Sequence, residues 1–173
     1  LGFFALTFLT PRLQDIGLDV GVFNVLAAGL AVGILLIPVV ASVSEDAMAA
    51  VPQDLRDGAY ALGSTRLQVS TRIVVPAAIS GIIASFVLAI SRAIGETMIV
   101  LIAAGGLAQI AFDPREQAQT MTAFIGATGI GDVPTGSIEY KTIFAVGLTL
   151  FVITFFMNMI SIRLVRKYRE IYE

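Results

Sequence analysis

Two charged residues stand where charge is expensive. Arg92 and Glu96 lie in or beside the apolar run AAISGIIASFVLAISRAIGETMIVLIAAGG that follows Pro76. Spaced four apart, they share one face of a helix. Next to them Ala77, Gly81, Ser85, Ala89 and Ala93 make an unbroken i, i+4 row of small residues, which lets transmembrane helices approach closely. The pair is therefore expected to point into a bundle. An arginine at the centre of a bilayer costs at least about 2.5–3.5 kcal/mol on insertion scales, and such residues usually mark a substrate or ion path. The planar guanidinium fork suits a tetrahedral oxyanion. Glu96 would hold that fork in place and keep the empty site near neutral. The competing reading is a structural ion pair near the outer interface, since a straight helix from Val74 carries Arg92 about 27 Å along its axis. Gly95 adds another possibility: a helix break there would turn backbone N–H groups toward an anion.

Composition removes other chemistry. The 173 residues include no cysteine and no histidine, so disulfides, Cys/His metal sites and histidine-based catalytic groups are excluded. No metal site and no cofactor is expected. A membrane enzyme would need an acid/base or metal constellation, yet Glu96 is the only carboxylate in or beside a span. No G-x-x-x-x-G-K-[ST] run occurs, so ATP cannot be held by a phosphate loop. A net charge of −2 gives no case for nucleic acid. The chain is 57% hydrophobic and 14% charged, with a mean hydropathy of +0.88, which excludes an ordinary soluble domain unless most of it lies in lipid.

The elements that must position the pair follow from where charge is missing. Residues 20–44, 73–91, 97–112 and 142–162 are uncharged. About 20 helical residues cross a bilayer core, so spans are expected at about 23–43, 74–94 and 142–162. The 97–112 stretch is short and contains Gly105-Gly106, and is read as an end of the preceding span or a re-entrant piece. Gly29 and Gly33 in the first span read as packing. Arg56, Arg66 and Arg72 in one loop, and Arg163, Arg166, Lys167 and Arg169 in the tail, place both on the cytoplasmic side. Two crossings then separate them, which leaves 113–141 as an external loop. That loop is rich in glycine and proline and reads either as a gate and contact surface or as a solvated connector. The tail, with Tyr168, reads as a stop signal. The opening ten residues are too short to cross and lack a basic leader, so the chain is expected to be N-terminally truncated.

The cytoplasmic loop 45–76 carries its own order. Leu55, Ala59 and Leu62 fall on one face of a short helix. Gly63 suits the left-handed position that ends such a helix. Thr65 with Gln68 is a capping-box pattern that starts another. Pro76 sits near the start of the next span, where a missing N–H costs little. Helix, glycine turn, helix is a compact surface suited to docking, with a plain linker as the alternative.

Here the residues resemble a known family. Asp57-Gly58-Ala59, then Gly63, then Ile73, then Val75-Pro76 is similar in spacing to the EAA loop of ABC-importer permeases, with Asp for Glu, Gly for Ala and Val for Leu as departures. Ser91 to Met98, the run SRAIGETM, resembles the oxyanion-importer signature, most closely that of phosphate importers. Met121-Thr122-Ala123-Phe124-Ile125, Gly136-Ser137-Ile138-Glu139-Tyr140, Ser44-Glu45-Asp46-Ala47 and Val51-Pro52 resemble the C-type permease subunit of that system. The resemblance implies an all-α, polytopic transmembrane helix bundle of ABC-importer permease (MetI-like) type, in a bacterial or archaeal plasma membrane. It implies a phosphate path near Arg92, Glu96 and Thr97. It also implies coupling to an ATP-binding subunit through Asp57, Gly58, Ala59, Gly63, Ile73 and Pro76. The implied partners are that subunit, a second homologous permease subunit, an external phosphate-binding protein and the lipid membrane. Sulfate or molybdate is the alternative substrate, and a non-transport membrane protein is the distant one.

Overall fold

The computed structural model describes residues 1–168, and Arg169 of the basic tail lies outside them. The described residues are helical and contain no strand, as the hydrophobic pattern requires. The helical segments Gly2–Phe4, Ala5–Leu9 and Thr10–Asp15 run on as one helix, α1. Then follow α2 (Val25–Ala49), α3 (Gln53–Ala61), α4 (Arg66–Ala77), α5 (Ile79–Ile94), α6 (Met98–Ala103), α7 (Met121–Ile130) and α8 (Ile138–Tyr168). Among the described residues, Val25–Ala49 and Ile138–Ile160 are long and apolar enough to cross a membrane, and α4 with α5 makes a third such segment if the bent pair is one span. Proline shapes two of these helices in the same way. Pro11 and Pro76 each follow a widened turn, in which Thr10 N donates to Ala5 O and Val75 N to Ser70 O, five residues back. A proline ring presses on the carbonyl four residues before it, and the wider turn carries that carbonyl away.

The chain divides into two compact units. Among the described residues, the first comprises 1–36 and 92–156, the second 37–91 and 157–168. The first is cored by Ala5, Ala27, Ala28, Ala31, Val32, Ile99, Ala103 and Ala104. Small residues dominate, so the helix backbones lie close together and dispersion rather than side-chain bulk holds them. The start of α2 is tied down completely. Asn24 is fully buried, and its Oδ1 accepts from Ala27 N (2.7 Å) while its Nδ2 donates to Thr10 Oγ1 and Gly21 O. The N–H groups of Asn24, Val25 and Leu26 donate to Ala103 O, Glu116 O and Pro114 O. These are the donors that a helix start leaves without partners, and a long loop (104–119) supplies most of the acceptors.

The second unit is cored by Val51, Ala59, Val69, Val74 and Ala78. Within it α2 and α5 meet at their small residues. A Cβ on Gly81 would collide with Ala47 Cβ, and one turn away Ser85 and Ser44 share a hydrogen bond of 2.8 Å. Ser85 is fully buried and its hydroxyl also donates to Ile82 O, so the polar group is satisfied inside the contact. The small-residue row therefore packs helix on helix, which was its plainer reading.

Candidate functional site

Two groups of candidate residues occupy different units, and each is built locally. The first is the hairpin of α3 and α4. Leu62 ends α3, Gly63 takes φ +83°, and the turn closes with Gly63 N donating to Tyr60 O and Ser64 N to Ala59 O. That is the paired 5→2 and 6→1 pattern of a glycine-terminated helix. Thr65 then opens α4. Its Oγ1 accepts from Gln68 N (3.4 Å), and Gln68 Oε1 accepts from Thr65 N (2.8 Å). The helix–turn–helix and its capping box are both as the spacing predicts.

Ala59 faces the core at 8% exposure, and Ile73 packs against the same cluster. Asp57 and Gly58 are exposed; Asp57 accepts from Gln53 Nε2, and nothing lies within 4 Å of a Cβ built on Gly58 or Gly63. Pro76 is exposed on α4. Leu62 departs from the expected apolar face: it lies beyond the last turn of α3 and is 89% exposed. Leu67, across the glycine turn, is 73% exposed. Periodicity assigned Leu62 to the buried stripe because it treats the helix as continuing. The tip of the hairpin thus presents bare leucines around an open glycine. Leu67 was not singled out from the sequence, and Leu62 was read as buried; a leucine beside a helix-ending glycine is the signal that marks both as exposed.

The second group surrounds the end of α5. Arg92 is exposed in its last turn, where the helix dipole favours a cation. It lies 13 residues beyond Ile79, about 20 Å along the axis. No hydrogen bond or ion pair to the Arg92 guanidinium occurs among the described residues. The helix stops at Ile94, so Glu96 is not one turn further along the same face. Instead Glu96 turns to the next helix: its Oε1 accepts from Ile99 N (3.3 Å), and its backbone O accepts from Thr122 Oγ1 (2.7 Å). Thr97 begins α6, donates its hydroxyl to Gly95 O, and sets its methyl 3.2 Å from the place a Cβ on Gly126 would take. Gly95 breaks the helix, as one reading of the sequence allowed. The consequence, among the described residues, is a guanidinium without a carboxylate partner, beside a carboxylate employed as a helix cap.

The loop 104–119 carries the one ion pair among the described residues. Arg115 Nε donates to both carboxylate oxygens of Asp113 (3.0 and 2.9 Å). Those bonds, and the Arg115 N–H, hold the Asp113 carboxyl at about 2, well below its ordinary 3.8, and raise Arg115 in return. A cleft of about 570 Å³ opens here between Asp19, Phe23, Gln109, Asp113, Arg115 and Glu116. Within 113–141 the apolar run of α7 forms a helix because Thr120 Oγ1 caps Ala123 N, although two glycines argue for turns.

The model of the family of binding-protein-dependent transport system inner membrane components matches residues 2–170. This chain belongs to that family. It is 34% identical over 154 residues to a probable ABC transporter permease protein YqgH of Bacillus subtilis, covering 89% of this chain and 50% of that protein. It is 32% identical over 151 residues to the phosphate transport system permease protein PstC of Haemophilus influenzae, covering 87% and 46%. A probable phosphate transport system permease protein PstA of Methanocaldococcus jannaschii is 40% identical over 90 residues, covering 52% and 32%. The chain spans about half the length of the first two relatives. No solved structure matches it significantly.

Proposed function

We propose that this family member is a permease subunit of an ATP-driven phosphate importer in a bacterial or archaeal plasma membrane. In this reading the α3–α4 hairpin docks an ATP-binding subunit, and a second, homologous permease completes the path. An external phosphate-binding protein delivers substrate to the side bearing 113–141. The observation that carries the reading is the Arg92 guanidinium at the end of an apolar helix, with no carboxylate paired to it among the described residues, in a chain whose relatives carry phosphate-transport names. A phosphate anion entering an apolar path loses hydration, and a fixed cation with five donors offsets part of that loss. Glu96 and Thr97 would line the path from the helix break, with Glu96 fixing the start of α6.

Movement of the hairpin would open or close the route. Asp57, Gly58, Ala59, Gly63, Ile73 and Pro76 shape the docking surface, with Gly63 leaving room for close approach. The test uses the full-length protein in its complex. Arg92→Ala is expected to abolish phosphate uptake while the complex still assembles. Uptake at the normal rate in that variant refutes the path. Competition by sulfate and molybdate during wild-type uptake reads the anion class directly, and inhibition by molybdate but not by phosphate would refute the substrate.

A further inference from the structure

Beneath the docking hairpin lies a charged residue that neither the family pattern nor the path uses. Arg56 projects from α3 toward the end of α2, and its Nη2 donates to Met48 O at 2.7 Å. Met48 belongs to the last turn of α2, whose carbonyls lack donors within the helix and carry the negative end of its dipole. Met48 O already accepts from Val51 N (3.3 Å), and the guanidinium adds a second, shorter and charge-assisted bond at the negative end of the dipole. Arg56 makes no ion pair with Asp54 or Asp57 on its own helix. Its Nε is buried and has no hydrogen-bond partner.

Ala59 is the only buried residue of the nine in α3, so the bond from Arg56 adds a polar link to the end of α2 beside that apolar contact. Beyond Met48 the route is already packed, because Ala47 and Ser44 of α2 lie against Gly81 and Ser85 of α5. A buried donor without a protein acceptor is costly, and a second conformation that brings one to it would relieve that cost.

We propose that Arg56 is a positioning residue that latches the docking helix to the end of α2, and that its free Nε–H gains an acceptor in the other transport conformation. The latch passes movement of α3 to α2 and α5. It rests on the docking reading above. The test uses the complete transporter in liposomes, with its binding protein, phosphate and ATP. Arg56→Gln and Arg56→Lys are compared for ATP-binding subunit retained on purification, ATP hydrolysis, and phosphate moved per ATP.

The latch predicts that Arg56→Gln keeps the subunit and hydrolyses ATP within about twofold of wild type, while phosphate moved per ATP falls about tenfold, the factor expected for one charge-assisted bond present in one of two states. Arg56→Lys, which keeps a charged donor, recovers at least about half of the ratio. A wild-type ratio in Arg56→Gln overturns the latch. So does loss of the subunit from both variants, because Arg56 would then only fold the docking surface. Gly63→Trp separates the two ideas: intact coupling in that variant removes docking at this hairpin, and the latch falls with it.

Discussion

Replacing Gly81 by alanine places a methyl group where Ala47 already has one. The obstructing atoms are the Ala47 Cβ and, at 3.5 Å, its Cα, and neither can swing aside as a long side chain would. The helices must therefore part, and the Ser44–Ser85 bond of 2.8 Å one turn away must stretch with them. Overpacking of this kind costs about 1–3 kcal/mol. In a chain of this size that corresponds to a fall in melting temperature of about 3–10 °C, read by thermal unfolding of the purified protein in detergent. Ala47→Gly on the same chain returns the missing volume to the opposite helix. Glycine inside a helix costs about 0.5–1 kcal/mol relative to alanine, but the exchange moves one glycine and one alanine between two helices, so these terms cancel. The double variant should melt within about 3 °C of the parent. A Gly81→Ala protein as stable as the parent, or a double variant no better than the single, would refute the close crossing of α2 and α5.

Two further outcomes are expected. Asn24→Ala removes the cap on Ala27 N and leaves Thr10 and Gly21 O without a donor, so it should cost about 2–4 kcal/mol and speed hydrogen exchange at Val25 to Ala27; unchanged exchange there would contradict the network. Asp113 ionises at about 2 in the folded chain against 3.8 ordinarily, so the pair with Arg115 contributes above pH 3.8 and is lost as pH falls toward 2. An infrared titration of the Asp113 carboxylate should place its midpoint near 2, and the midpoint should return to the ordinary range in Arg115→Gln; a parent midpoint near 3.8 would dissolve the pair.

Short-range signals in the sequence carried the docking hairpin. Gly63 and the Thr65–Gln68 box act within one or two turns and are used as spacing suggested, while the small row, interrupted after Ala77, packs through Gly81 and Ser85 on α2. Leu62 went astray because a period has no knowledge of where its helix stops. The same limit governs Arg92 and Glu96. Four residues apart means one face only if the helix is unbroken, and Gly95 breaks it. The closure of the α2 N-terminus by Ala103, Pro114 and Glu116 was invisible, because backbone acceptors leave no residue-type signature and lie about 80–90 positions away in the chain. The link from Arg56 to Met48 spans only eight positions, but its acceptor is also a backbone carbonyl and left no mark in the sequence.

The change of direction after Ala77 has a geometric consequence for where charge can sit. Arg66–Ala77 and Ile79–Ile94 meet at 66°. If the latter stands upright in the lipid, the former reclines at about 24° to the sheet of headgroups. Its twelve residues then climb only about 7 Å of the bilayer's depth instead of about 18 Å. Arg66 and Arg72, both exposed, would rest at the level of the lipid phosphates. The corner residue, Ala78, is buried in the core of the second unit, so the bend is packed in place at its vertex.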